Sequence, residues 1–469
     1  MAISSIGIGS GLDVNSIISK LTDVEKQPLT TLKADAATIQ AKVSAYGQVK
    51  SLISTFSDAA AKLTRDSAWN GLTIASTNTS AVNATVTGIA SASTLSVGVQ
   101  KLAQAQSTAS AVVPTGTDLG GTLTIQLGTW NSGLTGFTPG LSSAVSITMT
   151  PGTTSLAAVA SRINDANAGV TATVIKDASG ERLMIRSKDT GEAAGFQIKA
   201  GSDASTGLAQ LAFDPGTTAT TTTRSQAGQN AQATINGVSV SSPTNSLTDT
   251  IPGLTIQLSQ VTTSDALITA STDTATMKKN IQDFVDAYNA VSKFLGDATK
   301  YDSETKSAGL LQGDATALGL QNQLRAMLGS TTSGGTYKYL SDLGISIQRG
   351  GGLQVDSAKL DTALKTPENV KALFASDTGT LQTSGVAVKL KSFMTGLLAL
   401  DGTLNTKTDS FDAATKRNTA EQDKVNARAA LVEKRLKAQY TALDTQMASL
   451  TALSTYVNQQ VTTWNNTKS

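Results

Sequence analysis

The 469 residues include no cysteine and no histidine. These absences remove thiolate chemistry, the commonest nucleophile-and-base pairs, and the thiolate and imidazole ligands of most transition-metal sites. What is left of catalysis is an enzyme built on carboxylates or a cation held by oxygens, yet no D-x-[DN]-x-[DN]-G, G-x-x-x-x-G-K-[ST] or G-x-S-x-G motif occurs. The early GIGSGL spacing does not fit a dinucleotide fingerprint either, since no strand precedes it. No catalytic residue, metal or cofactor is therefore expected. Charged residues make up 15%, and 37 basic against 35 acidic side chains leave a net charge of +2, too weak a field to gather phosphates. Nucleic acid is not an expected partner. A chain without cysteine suits a reducing cytosol, and equally an exported protein that travels unfolded and cannot depend on disulfides. The opening MAISSIGIGSGLDVNSII has neither a positive n-region nor a continuous apolar h-region, and no apolar run approaches the roughly 20 residues that cross a bilayer. Neither a cleaved secretory signal nor a membrane span is expected, so export would need a dedicated machine.

The length suggests about three domains. Composition divides the chain into helical ends, 12–67 and 276–469, and a Thr/Ser/Gly/Val-rich middle, 72–272. Period-2 alternation in the middle, as in Leu123, Ile125 and Leu127, Val145, Ile147 and Met149, and Leu254, Ile256 and Leu258, predicts short strands. Aromatics are only 4%, so small sheets are expected. Within it, SLAAVASRINDANAG predicts a helix capped by Ser155 and stopped at Gly169, and VTATVIKD and ERLMIRSKD a hairpin closed at Ala178-Ser179-Gly180. AQSTASAVVPTGTDLGG and PGTTATTTTRSQAGQN, poor in large apolar residues, read as linkers. The resulting fold class is α+β and multidomain: terminal α-helical coiled-coil or bundle legs carrying two nested, mainly β inserted domains. The expected divisions are a terminal helical region at 1–35 with 440–469, a leg domain at 36–71 with 273–439, an inner β domain at 72–105 with 229–272, and an outer one at 106–228.

The helical ends carry heptad spacing. Leu29, Leu32, Ala36, Ile39, Val43, Tyr46, Lys50 and Ile53 alternate by three and four, with Val49, Leu52 and Phe56 widening the stripe. Pro28 suits a helix first turn and separates this run from a shorter helix at Val14 to Glu25. At the other end Val432, Leu436, Leu443, Met447, Leu450, Val457, Val461 and Trp464 continue such a seam, with Tyr440 and Tyr456 beside it. Two seams invite a terminal coiled coil, although an ordinary intrachain helix hairpin fits the same spacing. The basic cluster from Lys416 to Lys437 reads as a solvated coiled-coil face.

Four stretches resemble the flagellar hook-associated protein 2, or filament cap, family. They are SSIGIGSGLDVNSIISKL (Ser4 to Leu21), STLSVGVQKLAQAQS (Ser93 to Ser107), ATINGVSVSSPTNSLTDTIPGLTIQL (Ala233 to Leu258) and YLSDLGISIQRGGGLQVDSAKLDTALKTPENVKALF (Tyr339 to Phe374), so the resemblance runs nearly end to end. The region 155–187 also resembles a repeat shared with flagellins. One departure is GGG at Gly350 to Gly352, where the family commonly has a single turn glycine. The resemblance implies a non-enzymatic scaffold, exported through the flagellar apparatus with an export chaperone. It implies assembly at the filament tip into a ring, a pentamer favoured over a tetramer or hexamer, where flagellin folding and insertion are promoted and flagellin loss prevented. Flagellin, the hook-filament junction proteins and, for the outer domain, host mucin are the implied partners. The rival readings are a surface adhesin and a flagellin; the Ser4 and Tyr339 signatures disfavour the latter.

The partner interface is placed on Leu32, Ile39, Val43, Tyr46, Ile53, Leu436, Tyr440, Leu443, Met447, Leu450, Val457 and Val461. In its sharpest form Leu436, Tyr440, Leu443, Met447 and Leu450 lie opposite Ile39, Val43 and Tyr46 and grip flagellin or the filament end; purely intrachain packing is the alternative.

Overall fold

Asp13 starts the first helix of the computed structural model, which describes residues 13–215, 221–304 and 306–466. Its carboxylate accepts the Ser16 amide at 3.0 Å, satisfying a donor of the first turn of α1 (Val14–Lys26). Pro28 has no amide hydrogen to lose and fits the first turn of α2 (Pro28–Leu63). Gln27 between them keeps right-handed helical angles, so Pro28 marks a joint between nearly continuous helices. GIGSGL and the front of the Ser4 signature lie outside the described residues, as do positions 216–220 of the second Thr-rich stretch.

Contacts divide the chain into two units, Met1–Trp69 with Thr274–Ser469, and Asn70–Asp273. The second unit is the β region. In chain order it contains β1 (Leu72–Ser76), β2 (Val82–Val86), β3 (Ser93–Lys101), β4 (Ser107–Ala109), β5 (Gly121–Trp130), β6 (Phe137–Pro139), β7 (Val145–Met149) and helix α3 (Leu156–Asp165). There follow β8 (Val170–Asp177), β9 (Gly180–Ser187), β10 (Gly195–Ala200), helix α4 (Thr206–Ala209), β11 (Thr223–Gln226), β12 (Ala231–Ile235), β13 (Val238–Ser242), β14 (Ser246–Ile251), β15 (Leu254–Leu258) and β16 (Ala266–Thr272).

Strands from the two ends of this unit interleave in one antiparallel sheet ordered β1-β16-β3-β12-β13, and β14-β15-β2 forms a second. Val82, Val97, Val99, Ile256 and Ile268 are buried in their shared core. Residues between them build a separate core. Sheets β10-β5-β6, with β7 on β5, and β11-β4-β9-β8 bury Leu123, Ile125, Ile147, Val159, Ile163 and Phe196. The predicted helix and hairpin lie here: Ser155 caps α3, Gly169 has φ +75°, and β8 pairs β9 to the Asp177–Gly180 turn.

The reading of 105–121 and 215–230 as linkers is corrected. β4 and β11 form inside them and pair with each other. Gln106 is buried and its amide donates to and accepts from the Phe196 backbone at 2.8 and 3.2 Å, while Ser110 Oγ accepts the Leu183 amide at 2.9 Å. Polar side chains satisfied by backbone can line an interior without an apolar signature.

The chain re-enters the helical unit through α5 (Thr274–Thr299), the short pair β17 (Tyr301–Asp302) and β18 (Ser307–Ala308), and α6 (Ala315–Leu328). A hairpin of β19 (Ile345–Ile347) and β20 (Leu353–Val355) follows, then α7 (Ser357–Ala363), α8 (Pro367–Ala375), α9 (Val386–Leu398) and α10 (Thr403–Asn466). The core is aromatic at its centre, with Phe56 5.2 Å from Phe284 and 5.7 Å from Tyr288, and Phe284 5.7 Å from Phe374. α2 and α10 run unbroken through residues 35–36 and 439–440, the expected boundaries between the terminal region and the leg domain.

Within the triple glycine the structure gives Gly351 a specific role. The β19–β20 turn is clasped by α5: Tyr288 Oη donates to Gly351 O at 2.7 Å, Ser292 Oγ to the same oxygen at 3.2 Å, and Asn289 exchanges two bonds with the Leu353 backbone. Gly351 has φ +88° and faces the Arg325 guanidinium, where a Cβ would lie 2.0 Å from Nη2; Gly350 has open space. Gly351→Ala is therefore expected to cost about 1–2 kcal/mol and Gly350→Ala less than about 0.5 kcal/mol, read from urea midpoints of the helical signal. Equal effects would contradict this account of the turn.

Candidate partner interface

α10 lies antiparallel along α2 and then α1. Lys50 Nζ donates to Asn405 Oδ1 at 2.6 Å, Tyr46 and Phe411 rings meet at 5.5 Å, Asn418 Nδ2 donates to Leu32 O at 2.9 Å, and Arg428 pairs with Glu25 at 3.0 Å. These contacts fix the register. On α10 the side facing its neighbours is Leu404, Thr408, Phe411, Thr415, Asn418, Gln422, Val425, Ala429, Val432, Leu436 and Tyr440, all buried or half-buried. Each step is three or four residues, the heptad of an antiparallel helix pair. Much of it is polar or small. Asn418 is buried at the centre, and Gln422 Nε2 donates to its Oδ1 at 2.6 Å. Thr408 and Thr415 return their hydroxyls to the carbonyls of Leu404 and Phe411.

The same phase continues through Leu443, Met447, Leu450, Val457, Val461 and Trp464, where cover ends. Leu443 is 41% exposed, Leu450 58% and Val457 48%, and every residue from Thr445 to Asn466 is exposed. At 1.5 Å per residue this uncovered length is about 35 Å. Thr445, Thr455 and Thr462 bond the carbonyls four residues back, so the exposed segment satisfies these hydroxyls internally.

The pairing of Leu436 to Leu450 against Ile39, Val43 and Tyr46 is corrected. Tyr46 meets Phe411, some 25 residues nearer the start of α10 than Leu436. Leu32, Ile39 and Val43 are half-buried on α2, with the Leu32 carbonyl at Asn418 near the centre of the covered seam. Tyr46 and Ile53 lie inside the helical core, 1% and 0% exposed, and present no surface to a partner. Leu436 and Tyr440 end the covered seam, where Glu433 and Lys437 of α10 line a groove with Ile18 and Thr22 of α1; Leu443, Met447, Leu450, Val457 and Val461 belong to the uncovered length. The stretch 404–429 of the covered seam is hidden from apolar spacing because its heptad positions are mostly Thr, Asn, Gln and Ala; tracing the Val432 seam backward in phase finds it.

One cluster anchors the base of α10. Asp314 caps α6 by accepting the Thr316 and Ala317 amides, accepts Tyr46 Oη at 2.7 Å, and pairs with Lys407 Nζ at 3.0 Å. Lys407 also lies over the Tyr46 and Phe411 rings at 5.8 and 5.3 Å. Burial opposes ionisation of Asp314, but the Tyr46 hydroxyl, Lys407 and the Ala317 amide together hold its carboxyl below the usual range. Burial first, then the Asp314 bond and charge, push the Tyr46 phenol well above its ordinary value. Among the described residues no group of three or more acidic side chains could hold a metal, and no helix is long and apolar enough to cross a membrane.

Comparison with known proteins gives a consistent result. The profile of the flagellar hook-associated protein 2 C-terminus matches residues 228–452, that of its N-terminus residues 10–106, and the flagellin hook IN motif residues 132–189. Flagellar hook-associated protein 2 of Escherichia coli (strain K12) is 33% identical over 482 residues, spanning 100% of both chains. The B-type flagellar hook-associated protein 2 of Pseudomonas aeruginosa is 31% identical, covering 96% of this chain and 98% of the relative. The D1-D2-D3 domains of the flagellar cap protein FliD from Escherichia coli match with a TM-score of 0.62 at 30% identity, over 78% of this chain and 99% of that one.

The Asp314 cluster sets a pH window. A carboxyl with a lowered folded pKa contributes fully above its unfolded value near roughly 4 and loses that contribution as pH falls. A phenol with a raised pKa contributes below roughly 10 and loses it above. Asp314→Asn is expected to cost on the order of 1–3 kcal/mol at neutral pH and to flatten the acid limb of the stability profile of the helical unit, followed by urea unfolding from pH 3 to 7. An unchanged acid limb would remove Asp314 as its source.

Proposed function

Because this chain belongs to the flagellar hook-associated protein 2 family, the caps of bacterial flagellar filaments, we propose that its copies close into a ring at the distal filament end and that the uncovered length of α10 grips flagellin or the filament end. The observation carrying this reading is the change after Tyr440, where heptad phase continues and cover stops. Burying a Leu or Met contributes roughly 1.5–3 kcal/mol, so an in-phase stripe of Leu443, Met447, Leu450, Val457 and Val461 favours helix pairing even after ordering costs. A cap must let go and re-dock as subunits are added, and a row of small contacts suits that better than one large interface.

A pentamer remains the favoured ring, with a tetramer or hexamer as alternatives; any of them needs a head-to-tail contact that closes. Sheltering flagellin as it folds and inserts, and preventing its loss, is the task such a ring would perform. The same reading includes export through the flagellar apparatus with an export chaperone, which a chain without disulfides suits, and assembly on the hook-filament junction proteins. The two cores of the β unit support reading it as an inner and an outer domain, and the end of cover on α10 supports a separate terminal region. Host mucin, a further partner in this reading, would meet the hydroxyl ladder of Thr122 with Thr148 and Thr124 with Ser146, half-buried on β5 and exposed on β7.

Leu443→Asp is expected to leave the melting curve of the purified protein unchanged, as a surface substitution should. In cells it should abolish retention at filament ends and spill flagellin monomers into the medium. Full-length filaments would contradict the reading, as would global unfolding of the variant, which would make Leu443 part of the core.

A further inference from the structure

A groove of about 530 Å³ opens between α6 and α9, lined by Gln323, Met327, Ser330, Leu381, Lys389 and Phe393. Its walls are largely apolar, yet they include a buried cation. Lys389 is 6% exposed and donates to Thr331 O at 2.7 Å and Ser330 Oγ at 3.0 Å. No carboxylate pairs with it among the described residues, and burial pushes its pKa down without an opposing charge. An ammonium has three protons to donate and a charge to neutralise, so this groove is complementary to an apolar group that carries a carboxylate.

The helical unit displays such a pair on the turn that follows α9. Leu400 is 96% exposed and Asp401 beside it is exposed. The turn is tightly held: Gly402 N donates to Ala399 O at 2.8 Å, and Asn405 Nδ2 donates to Ala399 O at 2.6 Å while its Oδ1 accepts Lys50. A Cβ at Gly402 would lie 2.5 Å from the carbonyl oxygens of Gly396 and Leu397. Ile89 and Leu141 are similarly exposed but have no acidic neighbour in sequence.

We propose that Leu400 and Asp401 of one copy enter the α6–α9 groove of the next, Leu400 against Met327 and Phe393, with the Asp401 carboxylate accepting the remaining proton of Lys389. This contact rests on the ring reading above. Knob and groove are different surfaces, so the contact is heterologous and passes from copy to copy until a ring closes.

The absence of cysteine allows a direct test in the full chain. Under mild oxidation a mixture of Gln382→Cys chains, with the thiol on the groove wall, and Thr403→Cys chains, with the thiol beside the intact Leu400–Asp401 turn, is expected to form disulfide-linked dimers that neither variant forms alone, and the double variant a ladder of larger multimers. Asp401→Lys is expected to raise the concentration needed for assembly, measured by mass against concentration, roughly tenfold or more, with an unchanged melting curve. Wild-type-like assembly by Asp401→Lys, or assembly without the mixed disulfide, overturns the contact and leaves the ring standing. A wild-type chain that stays monomeric at every concentration overturns both.

Discussion

The seam that holds α10 against α2 and α1 is the constraint on which the rest of the helical unit's function depends. Its phase is set near its centre by a buried polar contact, the Asn418 amide on the Leu32 carbonyl, with Gln422 donating to Asn418 in turn. A buried amide in a helix seam adds little stability but penalises other registers, because a slip by one turn leaves it unpaired. At the base, Asp314 ties α6, Tyr46 and Lys407 together, so α10 starts from a fixed point. Register fixed at the base and centre determines which face the helix presents beyond Tyr440.

That face changes character along its length. From Leu404 to Ala429 the seam is mostly polar or small, suited to specificity within one chain; from Leu443 to Val461 it is aliphatic and uncovered, suited to burial against something else. A stripe that would be a liability on an isolated protein is what the proposed grip on flagellin or the filament end would bury. The Leu400–Asp401 turn and the Lys389 groove show the same contrast on a smaller scale, a half-satisfied charge on one surface and its complement on another.

Much of this was legible in the sequence. Period-2 runs such as Leu254, Ile256 and Leu258 are β strands, the Ser155 cap and Gly169 stop bound α3, and Pro28 begins α2, because local geometry and burial dictate those residue types. Two things were not legible. Residues 105–110 are largely buried although they lack large apolar residues, and 223–226 pair beside them as a mostly exposed strand; the Gln106 and Ser110 side chains are satisfied by backbone groups that only the tertiary fold brings near. The partner of each heptad residue was also misplaced. Spacing gives phase but not register, and register here depends on Asn418, Lys407 and Arg428, polar residues that an apolar template passes over.

The central claim is that residues beyond Tyr440 on α10 are uncovered in the free protein and become covered at the filament end. Hydrogen exchange measured segment by segment on the free protein and on protein bound to filament ends tests it most directly. The account predicts that amides of 443–464 exchange quickly in the free protein and slow markedly on binding, while those of 404–440 are protected in both states. Protection of 443–464 already present in the free monomer, or no change there on binding, would contradict it.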